Sequence, residues 1–291
     1  MSASLLAQVL ANGLLLGGLY AAVAAGFSLV WGVLNVVNML HGSAIVLGSY
    51  AAFFGWQKFG VNPFLSALVV GPAIGALGWA VQRYLVERVI AAPVLITLVL
   101  TFALDLILNN AMIAAFSADY RKIGSVSGLP PLTIGPVGVP VDRLLAALAG
   151  IAATLAIHLY LTRSRLGRAI VAVRMDRETA MLMGVKVEAI YAATFGIGLA
   201  LAGIAGCLMA AVFPISPLNS PGYLGVAFVA CVLGGLGSVV GAIVGGLVLG
   251  VVESFGAIFV GPEYSVTVAS VLLIIMLLWR PQGLLGRAGY E

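Results

Sequence analysis

Charge is what this chain has least of. Only 8% of its 291 residues are Asp, Glu, Lys or Arg, against about a quarter in soluble globular proteins. With 62% hydrophobic residues and a mean hydropathy of +1.17, that scarcity excludes a soluble fold. Histidine is nearly missing: His41 and His158 are the two present, so no three-histidine metal site and no zinc-protease spacing can be built. Cysteine is as scarce, and Cys207 and Cys231 both sit inside apolar runs, where they act as small hydrophobes rather than a disulfide or metal ligands. None of Lys58, Lys122 or Lys186 follows a glycine, which excludes a Walker A loop; no cofactor is expected in this chain, and any ATP-driven role needs a separate subunit. No paired carboxylate or Ser/His set converges, so an enzyme is the weakest reading. The N-terminus lacks a basic stretch and a clear cleavage site, and it reads as the start of a first span rather than a removable signal.

What is present is a series of apolar runs. They cover roughly residues 8–34, 40–56, 62–82, 92–116, 142–162, 188–213, 221–236, 238–259 and 264–280. The second and seventh are short for a crossing, so the expectation is an all-α polytopic membrane helix bundle of eight to nine segments, some broken or re-entrant. The net charge of +4 is no nucleic-acid signal, because membrane proteins gather Lys and Arg in cytoplasmic loops. With nine crossings and a cytoplasmic C-terminus, the inner loops hold Arg83, Arg88, Arg163, Arg165, Arg168, Arg174, Arg177, Lys186, Arg280 and Arg287. Lys58, Arg121, Lys122 and Arg143 fall outside, a bias in the expected direction.

Two polar segments interrupt the runs. Residues 117–142 are rich in Gly and Pro with alternating apolar positions, which predicts an external loop with a short hairpin. Residues 163–187 are predicted to be a cytoplasmic loop whose centre is helical, with Asp176, Arg177 and Glu178 in its first turn and Ala180, Met183 and Gly184 near one face. Such a helix suits docking into a soluble partner, or else the segment is a basic loop at the lipid surface. Glycines four apart, at Gly13 and Gly17, Gly71 and Gly75, Gly237, Gly241 and Gly245, and Gly246 and Gly250, imply close helix packing within the chain or across a dimer.

Polar residues inside the runs are the candidate site. Asn35, Asn38, His41, Gly42 and Ser43 lie in one stretch; Asn38 and His41 share a face if it is helical. Lipid offers such groups no partner, so they line a path or form a packing network. Asp105 with Asn109 in the fourth run, and Glu253 in the eighth, are intramembrane carboxylates and amides, either interhelical ties or functional groups.

The stretch Gly13 to Tyr50, GLLLGGLYAAVAAGFSLVWGVLNVVNMLHGSAIVLGSY, resembles the N-terminal signature of the permeases of branched-chain amino acid ABC transporters. SRLGRAIVAVRMDRETAMLMGV looks like that family's ATPase-facing loop, with Glu178, Thr179, Ala180 and Gly184 similar to the EAA pattern, though its downstream Ile-x-Leu-Pro is missing. VLGGLGSVVGAIVGGLVLGVVE and WRPQGLLGR resemble its C-terminal portion, in the same order. The resemblance implies a single permease domain in a bacterial cytoplasmic membrane, with membrane lipid around it and no nucleic acid. It also implies a second permease of the same family in a heterodimer, two cytoplasmic ATPase subunits that hydrolyse the ATP, and a periplasmic or lipid-anchored binding protein. Arg168, Arg174, Asp176, Glu178, Ala180 and Gly184 are then the ATPase-coupling residues. Urea and short amides are alternative cargoes in similar permeases, and a stand-alone secondary transporter with Asp105 or Glu253 as its ion site is the reading from another class.

Overall fold

The computed structural model describes residues 2–261, 264–280 and 282–286. Its helices are α1 (Ala3–Leu34), α2 (Leu40–Phe59), α3 (Pro63–Tyr84), α4 (Val94–Phe116), α5 (Val141–Arg163), α6 (Arg165–Met175), α7 (Arg177–Leu182), α8 (Val187–Ala210), α9 (Ser220–Gly234), α10 (Val239–Phe259) and α11 (Ser265–Trp279). Seven stretches of the described residues are long and apolar enough to cross a membrane. The others of membrane character are α2, diluted by His41, Ser43, Ser49 and Lys58, and α11, of 15 residues. The all-α polytopic bundle is therefore the observed fold. Arg287, counted above among the inner basic residues, lies outside the described residues.

Helix starts and stops follow from local chemistry. Asn62 caps α3, its side chain accepting from the Phe64 amide, and Pro63 fills the first helical position, where no amide is needed. Gly60 ends α2 in a left-handed conformation, φ 65°, that a side chain would disfavour. Between α4 and α5, strands β1 (Leu132–Ile134) and β2 (Val137–Val139) pair antiparallel. Gln8 of α1 holds β2 by bonding both the carbonyl and the amide of Gly138, at 2.9 and 2.8 Å.

Packing places α1 and α8 at the centre. Of α1's hydrophobic window 89% is buried and of α8's 78%, against 11% for α4. The glycines explain how two helices can sit so deep. A methyl at Gly17 would lie 2.5 Å from the Leu247 Cα, and one at Gly13 2.7 Å from that of Val251, so α1 and α10 pack backbone on backbone. Gly71 and Gly75 of α3 make room for the side chains of Ile204 and Ala200 of α8. The four-residue glycine spacing thus serves close packing within one chain.

Candidate functional site

The first of the polar stretches is a break between two helices. α1 ends at Leu34, and Asn35 takes a left-handed conformation, φ 53°, its amide donating to the Trp31 carbonyl at 2.9 Å. The chain then turns back as a non-helical segment until α2 begins at Leu40. How deep it returns is set by His41, whose Nε2 lies 2.9 Å from the Val23 carbonyl. Val23 is a dozen residues before Asn35, or about 18 Å back along α1. α2 therefore starts well inside the bundle.

Irregular backbone at that depth needs partners from elsewhere. Thr101 of α4 supplies them: its hydroxyl donates to the Val37 carbonyl at 2.9 Å and accepts from the Met39 amide at 3.4 Å. The Asn38 side chain is fully buried and both its amide atoms lack a partner among the described residues. His41 is equally buried, edge-on to Phe27, with Nδ1 unpartnered. Gly42 lies under Ser220, where any side chain would strike the Ser220 carbonyl. The Ser220 hydroxyl in turn lies 3.3 Å from the Asp105 carboxylate. The start of α2, the middle of α4 and the start of α9 meet here.

Of the residues expected at a path, then, Asn38, His41, Gly42 and Asp105 are gathered, and Asn109 is one turn beyond Asp105 with its carbonyl oxygen shielded and unpartnered. Ser43 bonds its own helix at the Leu40 carbonyl, 3.2 Å away. Asn35 is exposed at the turn. Glu253 is tied to α1: it accepts a 2.8 Å bond from the Tyr20 hydroxyl, and Ser254 bonds the Val9 carbonyl. Tyr20 stands three residues before Val23, the residue that His41 reaches, or about 5 Å along α1. Thr101 and Ser220 were not among the expected residues. Thr101 stands four before Asp105, on the same helical face, and Ser220 lies in the turn-forming run SPLNSPG, so both left a signal.

The segment 163–187 holds two helices rather than one. Ser164 caps α6 by accepting from the Gly167 amide at 2.9 Å. Asp176 caps α7, accepting from the amides of Glu178 and Thr179 at 2.9 and 3.1 Å and from the Thr179 hydroxyl. The Thr179 hydroxyl bond, followed by its amide, holds the Asp176 carboxyl below the usual carboxylate range. Ala180 is buried and Gly184 closes the helix at φ 81°. Met183 is not on the face of Ala180, as the spacing predicts; α7 stops at Leu182 and Met183 turns outward, 80% exposed, beside Leu182 at 87% and Met181. Glu178 and Arg168 point to solvent.

Arg174 points the other way. Its guanidinium donates to the Gly237 carbonyl at 2.7 Å and stands between two cavities. One, of about 720 Å³, has Leu29, Leu161 and Ile170 among its walls. The other, of about 360 Å³, lies between Asn35, Arg177 and Tyr191.

A multi-span bundle with a broken helix at mid-depth and a capped two-helix projection between spans is the form of a membrane permease. The family model described as the permease component of branched-chain amino acid transport systems matches residues 9–277, and the chain belongs to that family. It is 33% identical to the high-affinity branched-chain amino acid transport system permease protein BraD of Pseudomonas aeruginosa, over 98% of this chain and 97% of BraD. It is 30% identical to LivH of Escherichia coli over 98% of this chain and 96% of that one. To LivM of Escherichia coli, a permease protein of the high-affinity branched-chain amino acid transport system, it is 36% identical over 50% of this chain and 35% of LivM.

Proposed function

We propose that this chain is the membrane-spanning permease subunit of an ATP-driven importer of branched-chain amino acids, in a bacterial cytoplasmic membrane. The family supports the cargo and the class. The observation that carries the mechanism is α7: a short capped helix whose apolar tip, Met181, Leu182 and Met183, projects into solvent. An exposed apolar tip of this kind marks an interaction surface, and the occupant is a cytoplasmic ATPase subunit, which would push on α6 and α7 as rigid bodies. Six basic residues between Arg163 and Lys186 support a cytoplasmic placement of this end, and with it of the C-terminus.

Two ATPase subunits then hydrolyse ATP, and a periplasmic or lipid-anchored binding protein delivers cargo from the other side. The second permease is a distinct chain of the same family, a reading supported by the likeness to both LivH and LivM of one organism. The route runs past the junction of α2, α4 and α9, where Asn38, His41, Gly42 and Asp105 gather.

The test is co-purification with the ATPases. Leu182→Asp with Met183→Asp is expected to release them while the bundle stays folded by size-exclusion chromatography. Undiminished ATPase capture by that variant would remove α7 as the docking element.

A further inference from the structure

α4 is the least covered of the long helices, and its open side carries Val99, Phe102, Leu106 and Ile107. Asp105 stands midway along its 23 residues, half-buried. A carboxylate at that depth is costly unless a cation or several donors meet it. Among the described residues the one ion pair joins Arg83 to Glu188, so no Lys or Arg of them pairs with Asp105. Its contact is the Ser220 hydroxyl, at the long distance of 3.3 Å.

What surrounds it is unsatisfied too. Among the described residues, Asn109, one turn on, has a shielded oxygen without a partner, and Asn38, on the segment that Thr101 holds one turn before Asp105, has a fully buried amide without one. α2 starts beside it, and Met39 gives it no side-chain cap, whereas the turn that leads into α9 is capped by Ser216, whose hydroxyl accepts from the Leu218 amide at 3.3 Å. An uncapped helix start favours an anionic group. A methyl at Gly222 or Gly225 would meet nothing within 4 Å, so the first turns of α9 adjoin open space.

One carboxylate without a cation, buried amides without partners and one free helix start match the two ends of a zwitterion. We propose that Asp105 is a specificity-determining residue that receives the α-ammonium group of the amino acid in transit, while the cargo carboxylate turns toward the start of α2. The proposal rests on the permease reading above and adds the chemical group recognised. Urea and neutral amides carry no such cation.

The test uses the full importer in liposomes, with leucine as the probe, following uptake and ATP hydrolysis together. Removing one charge-assisted contact in Asp105→Asn is expected to lower the leucine moved per ATP about tenfold to a hundredfold, while the KM for leucine, governed by the binding protein, moves little. Asp105→Glu is expected to recover part of the loss. An unchanged ratio in the Asn variant would overturn the proposal. So would equal failure of the Asn and Glu variants to assemble, since that makes the residue structural. Failure of the permease reading looks different, because the wild-type chain would then capture no ATPase.

Discussion

The guanidinium of Arg174 donates to the carbonyl of Gly237 at 2.7 Å, and through that bond α6 is tied to the turn between α9 and α10. Gly237 is left-handed, φ 77°, and a methyl on it would lie 2.9 Å from the Cα of Gly32. Gly32 is three residues before the Asn35 turn. On the coupling proposed above, a push on α6 and α7 would reach the break at Asn35 through packed backbone. Arg174→Ala is expected to keep the ATPases bound and to lower uptake more than ATP hydrolysis. Gly237→Ala should do the same from the other side of the bond. Proportional loss of uptake and hydrolysis in both would show that the tie only holds the fold.

The α1–α10 seam has no room for a side chain. Gly17→Leu would force the helices apart, and overpacking of this kind costs at least about 1–3 kcal/mol. The expected result is little folded protein in detergent extracts, measured by fluorescence size-exclusion, whether or not partner subunits are present.

Asn38 is the reverse case. A buried amide without partners costs about 1–3 kcal/mol, so Asn38→Ala is expected to leave thermal stability equal or higher while uptake falls. Normal uptake would return the segment to packing.

Glu253 and Tyr20 join α10 to α1 by one 2.8 Å hydrogen bond, about one turn of α1 from Val23. Interhelical hydrogen bonds in membranes are worth about 0.6 kcal/mol on average, so Tyr20→Phe is expected to lower the melting temperature slightly and to leave uptake near normal. A large uptake defect would give Glu253 a transport role.

Asp176 sets the pH response of α7. Its carboxyl is held below the usual range, so its stabilising effect is complete at neutral pH and is lost only as pH falls through that depressed value. ATPase capture should stay flat from about pH 8 to about pH 5 and weaken in stronger acid. Asp176→Ala should weaken it throughout, and Asp176→Asn, also a good cap, should not.

Much of this was legible in the residues. Apolar runs placed the long helices to within a few positions, because in lipid each backbone group must bond within its own helix and the run length is fixed by the bilayer. The Gly/Pro-rich loop and its hairpin were legible from turn chemistry. The polar stretch from Asn35 to Ser43 pointed to a site but not to its form, since the return of the chain is fixed by Thr101, Val23 and Ser220, distant in sequence. Glu253 looked like Asp105 by composition; a tyrosine 233 positions away in sequence gives it a different part. The division of the inner segment into two helices turned on Asp176, which begins α7 rather than continuing α6.

The outward turn of Leu182 and Met183 also bears on how the complex is made. A subunit released into the membrane before its motor arrives carries a greasy handle in water, the kind of feature that proteases and chaperones grip. Its lifetime in the cell should then follow the supply of ATPase, so that the amounts of the two are matched by destruction of the surplus rather than by equal synthesis.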